Sequence, residues 1–230
     1  AFSRKFKNEE DIIPVHVSLI QNHIPISRGL GSSASIILAG VLMANEIHNL
    51  DKTLLECAAF ASDLEGHPDN VFACAFGQFT SSMITSNSYY HQTFDVSKDL
   101  KFHLLILESK ASTEELRKVL PKTLTLEETV FHLSRTIHVP NALKEGDLGL
   151  LKELLKDRMH EAYRFPFIPA FETIQKLNQK DNLLFTISGS GSSVLCMTNE
   201  LKTKDLDILT KDFIIQNVNI SSGVKIEVIL

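Results

Sequence analysis

The chain has 230 residues, of which 43% are hydrophobic and 22% charged, and these values are typical of globular proteins. They exclude disorder, collagen and coiled coil as descriptions of the whole chain. Lys and Arg total 23 and Asp and Glu total 28, which gives a formal net charge of −5. This acidic balance, without a Lys/Arg run, argues against a protein that binds duplex DNA or an anionic membrane.

No stretch of the sequence is apolar enough to cross a bilayer. The longest apolar run, Ile36–Ala44, is far shorter than the roughly 20 residues that a spanning helix needs, and the N-terminal segment lacks the apolar core of a secretory signal. The three cysteines match no zinc-binding spacing and lie among apolar residues, so we expect buried, reduced thiols. These features predict a cytoplasmic protein.

The first half of the chain predicts a strand, three helices and a second strand. The strand shows alternating apolar residues, and the first helix is apolar around nearly its whole circumference, as a buried helix is. The predicted elements are, in order, a strand (13–21), the buried helix (33–49), a helix that begins at the capping box of Thr53 and Glu56 and runs to Leu64, a short helix (71–76) and a strand (79–85).

The second half predicts the order β-α-β-β-α-β, with extra helices, which is the ferredoxin-like arrangement. We place the domain boundary near Asp99. The predicted elements are a strand (102–107), a helix from the capping box at Ser112 to Pro121, helices that begin at Thr125 and Asp147, a helix (169–177), two strands (183–187 and 193–197), a helix (205–216) and a final strand (224–230).

The strongest chemical signal is the glycine-serine segment before the long buried helix. Gly29 and Gly31 permit a backbone with positive φ that forms a cup of N–H groups, and Ser32 and Ser33 follow at the helix start. The first amides of a helix lack partners and, with the helix dipole, favour phosphate. A serine hydroxyl there can also reach Mg²⁺. The alternative is an ordinary helix start whose glycines serve only the turn.

Two other phosphate-binding motifs compete for this segment. A Walker A loop requires a lysine, and none lies near Gly31, so that motif is excluded. Gly29-x-Gly31-x-x-Ala34 matches the dinucleotide pattern, which requires an acidic residue after a second strand about 20 residues later. Asp51 has this spacing but is predicted to lie between two helices. An NAD-dependent oxidoreductase is therefore the weaker alternative.

A second polar cluster, EGHPDN at residues 65–70, lies at the junction of two predicted helices. Glu65 and Asp69 can hold Mg²⁺ through carboxylate oxygens, as phosphoryl transfer requires. His67 and Asn70 can hydrogen-bond a small polar substrate. The alternative is that His67 and Asp69 only cap the following helix. Zinc is disfavoured, because no second His or Cys stands at ligand spacing.

The combination of PISRGLGSSAS on a buried helix, EGHPDN, and SGSGSS between two late strands resembles the GHMP small-molecule kinases. Within that family, the EGHPDN turn and the stretches STEELR, VLP and HEAYR are most similar to the homoserine kinases. The likeness runs over essentially the whole chain. It implies an α+β protein with the remainder of a ribosomal-S5-like N-terminal domain (1–98) and a ferredoxin-like C-terminal domain (99–230), with the active site between them.

The resemblance implies that ATP and Mg²⁺ serve to phosphorylate the side-chain hydroxyl of L-homoserine, a step of threonine biosynthesis. ATP would be bound by Pro25, Ile26, Ser27, Arg28, Gly29, Leu30, Gly31, Ser32, Ser33, Ala34 and Ser35, with support from Gly189, Ser190 and Gly191. Mg²⁺ would be coordinated by Ser33 and Glu65. The homoserine pocket would be lined by His67, Asn70, Thr113, Arg117 and Arg164, since an arginine can grip a carboxylate through two N–H bonds. No residue is a firm general base, and Asp69 is the weak candidate.

Two departures from the family pattern affect these expectations. The family carries a motif of the type P-x-S-x-N-L-G-x-G-F-D near its start, and none occurs here, so we expect the N-terminal domain to lack its first strands, with a sheet edge unpaired. Ser192 stands where the third motif usually has proline, which makes that loop less rigid. Two alternatives stay open beside the oxidoreductase: a GHMP kinase for a sugar or isoprenoid alcohol, and a truncated, inactive relative that only binds nucleotide. A homodimer is one alternative for the assembly.

Overall fold

The computed structural model describes residues 1–107, 116, 118–200 and 204–227, and the chain divides into two compact units. The first unit contains residues 1–26, 31–93 and 221–230, and the second contains residues 27–30 and 94–220. Both units combine helices with strands, so the fold is α+β. Each unit is built from more than one segment of the chain. The domain division expected from the sequence, 1–98 and 99–230, stays a prediction.

The first unit is a group of helices with a two-stranded sheet. Its core is formed where the helices pack through Leu38, Ala58 and Phe72, all of which are buried. The elements are helix α1 (Phe2–Phe6), a 3₁₀ turn (Glu9–Asp11), helices α2 (Ser32–Ile47), α3 (Leu54–Glu65) and α4 (Asp69–Phe76), and the paired strands β1 (Phe79–Ile84) and β2 (Tyr89–Phe94).

The ends of helix α3 confirm the sequence prediction. Thr53 Oγ1 accepts a hydrogen bond from the Glu56 amide, and Glu56 Oε2 accepts one from the Thr53 amide at 2.8 Å, which completes the capping box. Gly66 follows the helix with a φ of 94°, a left-handed conformation that glycine adopts without strain. This turn ends α3 at Glu65 and places α4 directly after it.

The strand predicted at residues 13–21 is wrong for this structure, because residues 12–23 form neither helix nor strand. The apolar side chains of the predicted inner face, Val15, Val17 and Leu19, are 51%, 56% and 71% exposed. A strand exists only when its backbone groups pair with a neighbour. Within the described ranges, no strand pairs with this segment.

The second unit contains a four-stranded antiparallel sheet in the order β4-β5-β3-β6. This order is the one that a ferredoxin-like β-α-β-β-α-β chain adopts. The elements are β3 (Lys101–Leu107), α5 (Leu126–Thr136), α6 (Val139–Glu145), α7 (Leu148–Leu154), α8 (Glu161–Arg164), a 3₁₀ turn (Phe165–Phe167), α9 (Phe171–Asn178), β4 (Leu184–Ile187), β5 (Val194–Thr198), a 3₁₀ helix (Lys204–Lys211) and β6 (Phe213–Val218).

The core of the second unit lies against one face of the sheet, with Leu105, Ile174 and Leu209 among its buried members. The capping box predicted at Thr125 is confirmed, since Thr125 and Glu128 exchange side-chain and backbone hydrogen bonds at the start of α5. Asp147 accepts from the Leu150 amide at the start of α7, as predicted. Most of the helix predicted from Ser112 lies outside the described residues.

Two predictions for the end of the chain are wrong. The helix expected over 205–216 ends at Lys211, and residues 213–218 instead form β6, which pairs with β3 from Phe102 opposite Val218 to Leu107 opposite Phe213. The described part of the strand expected over 224–230 is irregular, and the Val224 amide donates to the Ala75 carbonyl at 3.1 Å. Segment 213–218 is therefore the last strand of this sheet, in place of the strand predicted over 224–230.

No helix in the described ranges combines the length and the apolar character that a membrane-spanning segment needs.

Candidate active site

The start of helix α2 brings together a serine and a carboxylate that are far apart in the sequence. Gly31 precedes the helix with a φ of 67°, which the residue tolerates because it has no side chain. Ser33 lies in the first turn and is exposed, and its Oγ donates a hydrogen bond to Glu65 Oε2 at 2.7 Å. Glu65 is the last residue of α3. The two predicted metal-binding residues are thus adjacent.

The turn after Glu65 adds three more polar side chains to the same region. Asn70 lies beside the α2 start, since a Cβ built on Gly31 would be 3.4 Å from Asn70 Oδ1. His67 Nδ1 and Asp69 Oδ1 are 2.6 Å apart, and the same Asp69 oxygen accepts from the Asn70 amide at 2.9 Å. The Asp69 carboxylate therefore orients His67 and the first turn of α4.

Residues 27–30 of the glycine-serine loop contact the third glycine motif within the second unit. Ser188 Oγ donates to the Gly29 carbonyl at 2.9 Å, and the Ser193 amide donates to the Arg28 carbonyl at 3.2 Å. A Cβ on Gly29 would be only 2.2 Å from the Ser188 carbonyl oxygen. The structure thus brings together two glycine motifs whose contacting residues are 159 positions apart in the sequence. Position 29 requires glycine, because a side chain there would collide with the Ser188 carbonyl.

The Arg28 side chain is buried and anchors the loop to the sheet. Its Nε donates to the Leu107 carbonyl at 3.0 Å, at the end of β3, and its Nη1 donates to the Ser27 carbonyl at 3.4 Å. Sequence reasoning placed Arg28 among the ATP-binding residues. These hydrogen bonds join its guanidinium to protein carbonyls, which the sequence pattern did not indicate, and its place in the ATP-binding set stays a prediction.

The short helix α8 carries Arg164, which the sequence analysis assigned to the homoserine pocket. Arg164 is 8% exposed, and its guanidinium donates from Nε to the Leu116 carbonyl at 3.0 Å and from Nη1 to the Gly189 carbonyl at 3.3 Å. Arg164 therefore contacts the third glycine motif. The other two predicted pocket residues of this unit, Thr113 and Arg117, lie outside the described residues.

The Ser33–Glu65 pair fits a magnesium ion by the chemistry of its oxygen atoms. Mg²⁺ prefers hard oxygen ligands, and in phosphoryl-transfer sites one or two protein ligands are joined by substrate phosphates and waters. Over the parts of the chain that the structure describes, no cluster of three or more His, Cys, Asp or Glu side chains could hold a metal. The Ser33 hydroxyl and the Glu65 carboxylate are oxygen donors of the kind that such a magnesium site uses.

Comparisons with known proteins identify the family of this chain. Residues 1–78 match the family description "GHMP kinases N terminal domain", and residues 141–210 match "GHMP kinases C terminal". A homoserine kinase of Clostridium botulinum (strain ATCC 19397 / Type A) is 34% identical over 226 residues, which cover 91% of this chain and 76% of that protein. The chain belongs to the homoserine kinase family of GHMP kinases. A second homoserine kinase, from Natranaerobius thermophilus, is 32% identical over 88% of this chain and 66% of its own length.

Solved structures show the same fold. The crystal structure of homoserine kinase from Cytophaga hutchinsonii matches with a TM-score of 0.74 at 22% identity, over 88% of this chain and 69% of that one. A mevalonate pyrophosphate decarboxylase from Streptococcus pyogenes matches with a TM-score of 0.61 at 17% identity, over 98% of this chain and 75% of that one. The GHMP fold is thus shared by enzymes with different substrates, so substrate choice has to be argued from the site.

Proposed function

We propose that this GHMP kinase transfers the γ-phosphoryl group of ATP to the side-chain hydroxyl of L-homoserine and releases ADP and O-phospho-L-homoserine. The homoserine kinases that this chain resembles support homoserine as the substrate, and the GHMP kinase family supports ATP as the phosphoryl donor. The observation that carries the proposal is the hydrogen bond of Ser33 to Glu65 at the start of α2. The reaction would belong to threonine biosynthesis in the cytoplasm.

The glycine-serine loop would bind the ATP phosphates through backbone amides. Residues 25–31 directly precede α2 in the chain. At the N-terminus of this helix the first amides have no carbonyl partner within the helix, and the helix dipole favours negative charge. Helix α2 has 16 residues, so its dipole is fully developed. The hydrogen bond from Ser188 to the Gly29 carbonyl holds the loop in place. Residues Pro25–Ser35, with Gly189, Ser190 and Gly191, stay the proposed nucleotide-binding set.

Ser33 and Glu65 would hold the Mg²⁺ that accompanies ATP. When bound, the ion neutralises charge on the phosphate oxygens during transfer. The Glu65 carboxylate supplies the negative charge, and the Ser33 hydroxyl, which now donates to Glu65, would turn its oxygen lone pairs toward the cation. The two side chains are already 2.7 Å apart, so little rearrangement is needed to bind one ion.

Homoserine would be bound by side chains that match its ammonium, carboxylate and hydroxyl groups. The proposed pocket residues stay those that the resemblance implies: His67, Asn70, Thr113, Arg117 and Arg164. The His67–Asp69 contact of 2.6 Å holds the His67 ring in one orientation. The substrate hydroxyl would attack the γ-phosphorus in line, and positioning with charge neutralisation supplies most of the catalysis. Asp69 stays a weak candidate for a base, because its Oδ1 is engaged by His67 and the Asn70 amide.

The decisive experiment measures ADP release by the purified chain with ATP, Mg²⁺ and either L-homoserine or mevalonate. We expect homoserine to stimulate ADP release and mevalonate to leave it at the background rate. Release with mevalonate alone would favour another GHMP substrate. Binding of ATP without release in the presence of any acceptor would favour an inactive relative.

A further inference from the structure

Helix α8 holds the third glycine motif through two side chains that lie one turn apart. Glu161 Oε1 accepts a hydrogen bond from Thr186 Oγ1 and another from the Ile187 amide, both at 2.6 Å. Arg164 Nη1 donates to the Gly189 carbonyl. Positions three apart on a helix share one face, so the same face of α8 contacts the chain on both sides of Ser188.

The position of Ile187 explains why an acceptor is needed there. Strand β4 lies at the edge of the sheet, where the amides that point away from β5 have no strand partner. Ile187 is the last residue of β4 and is 5% exposed. A buried amide without a partner is costly. The Glu161 carboxylate supplies that partner and fixes the point at which the strand enters the glycine motif.

Ser188 connects the end of β4, which Glu161 holds, to the glycine-serine loop. It is the next residue after Ile187, and its Oγ donates to the Gly29 carbonyl at 2.9 Å. The space between Ser188 and Gly29 is too small for one added carbon atom. A shift of the Ile187 amide would therefore displace Ser188 against Gly29, and with it residues 27–30.

We propose that Glu161 is a positioning residue of the phosphate-binding loop, acting through Ile187 and Ser188 on Gly29. The role of the loop as the ATP site rests on the function proposed above. Glu161 would not touch either substrate. Its loss would weaken ATP binding while the homoserine pocket keeps its affinity.

The surroundings of Glu161 show that α8 itself is fixed. Asp157 Oδ1 accepts from the amides of Met159, His160 and Glu161, at 2.9, 2.6 and 2.8 Å. Burial raises the pKa of Glu161 to about 7, and its hydrogen bonds to Thr186 and Ile187 counteract that effect. Burying a carboxyl group lowers the stability of the folded protein. The burial of Glu161 in spite of this cost agrees with a role in positioning.

The test compares Glu161→Ala, Glu161→Asp and Glu161→Gln with wild type. Alanine removes the acceptor, aspartate withdraws it by one methylene, and glutamine keeps an acceptor oxygen at the same reach. Glu172→Ala is the matched control, because Glu172 is an exposed residue in the first turn of α9, in the same unit. Each variant is assayed for its ATP and homoserine KM, for the Kd of ATP by calorimetry and for its melting temperature.

We expect Glu161→Ala and Glu161→Asp to raise the KM and Kd for ATP by about tenfold, the equivalent of one lost hydrogen bond to a charged group. The KM for homoserine should stay within about twofold, and Glu161→Gln should keep most of the ATP affinity. Amide hydrogen exchange should accelerate at residues 27–30 and 187–191 but not in β3. Glu172→Ala should resemble wild type.

A lowered melting temperature with unchanged ATP affinity and unchanged exchange at 27–30 would overturn the proposal and leave Glu161 a purely structural residue. Equal losses of affinity for ATP and homoserine would also overturn it. If Glu161→Ala does not fold, Glu161→Asp and Glu161→Gln decide the matter. If wild type shows no homoserine-dependent ADP release, the proposed function fails, while calorimetry and hydrogen exchange still test the role of Glu161.

Discussion

Ser33 Oγ donates a 2.7 Å hydrogen bond to Glu65 Oε2, although the two residues are 32 positions apart. The bond joins the first turn of α2 to the last residue of α3. A carboxylate at a helix N-terminus is favoured by the helix dipole, and a cation beside it gains from the same carboxylate. The helix dipole thus favours the Glu65 carboxylate at this position, and the magnesium site proposed above uses the same pair.

Replacement of Glu65 by glutamine should lower kcat by about 100-fold, because the neutral amide gives up several kcal/mol of charge stabilisation at the metal. The fold should persist, since glutamine can still accept from Ser33. Initial rates at increasing Mg²⁺ concentration and circular dichroism melts measure the two effects. Glu46→Gln, on the exposed side of α2, is the control. Near-normal kcat at ordinary Mg²⁺ in Glu65→Gln would remove Glu65 from the metal site.

Two glycines should respond to alanine in opposite ways. Gly29→Ala places a Cβ 2.2 Å from the Ser188 carbonyl at a residue with a φ of 73°. We expect a loss of at least about 1–3 kcal/mol of unfolding free energy together with weaker ATP binding. Gly40 lies within α2 with no atom within 4 Å of its added Cβ, so Gly40→Ala should stabilise the chain by about 1 kcal/mol. Thermal melts and ATP titrations of Gly29→Ala and Gly40→Ala measure their stability and their affinity for ATP. Similar melting temperatures for both variants would contradict the packing described here.

Arg164→Ala should affect both stability and substrate binding. The change removes donors from the Leu116 and Gly189 carbonyls, which we expect to lower the unfolding free energy by about 2 kcal/mol. If the guanidinium also binds the homoserine carboxylate, the KM for homoserine should rise far more than the KM for ATP. Lys176→Ala, at an exposed position of α9, controls for loss of a positive charge. An equal rise in both KM values would remove Arg164 from the homoserine pocket.

The stability contributed by Glu161 should fall as the pH rises. Its pKa is raised from the ordinary value of 4.5 to about 7, chiefly by burial and to a smaller extent by the charge of Asp157, against the opposing effect of its hydrogen bonds to Thr186 and Ile187. Between these values the folded state binds more protons than the unfolded state, so stability decreases with pH across this window and is constant above it. The advantage of Glu161→Gln in melting temperature should therefore grow from pH 4.5 to pH 7.

His160, which precedes Glu161 in the chain, contributes stability with the opposite pH dependence. Burial lowers the pKa of His160 from 6.5, with the Arg164 charge adding to the effect and Asp157 opposing it. His160 thus contributes stability that is present above pH 6.5 and is lost as the pH falls. Because wild type and Glu161→Gln both contain His160, its effect cancels in the difference between their melting temperatures. A difference that is independent of pH would contradict the raised pKa of Glu161.

The sequence predicted elements whose causes are local. The capping boxes at Thr53 and Thr125 involve a residue and its third neighbour, and both were found where the pattern indicated. Residues 213–216, the first part of β6, were misassigned to a helix because their apolar residues continue the spacing of the preceding turns. The strand state of β6 depends on pairing with β3, more than 100 positions earlier, and no local pattern contains that information.

The candidate site shows the same limit. The sequence motifs named Ser33, Glu65 and the glycine segments, but their contacts are non-local and became visible only in the structure. The resemblance assigned Arg28 to the ATP-binding segment, and nothing in that segment indicated that its guanidinium donates to Leu107 at the end of β3. Glu161 lies in the HEAYR stretch that supported the family resemblance, yet nothing in that stretch indicates that its partner is Ile187.

Residues 221–227, the last that the structure describes, belong to the first unit, although residues 94–220 of the second unit separate them from residues 31–93. The Gln78 amide donates to the Ser221 carbonyl at 2.8 Å, and Gly223 approaches the backbone of Ala75 and Phe76 closely. Domains generally fold in the order in which the ribosome makes them. In this chain, the contacts of residues 75–78 with residues 221–224 can form only after residues 94–220 have been synthesised, so the first unit acquires them late.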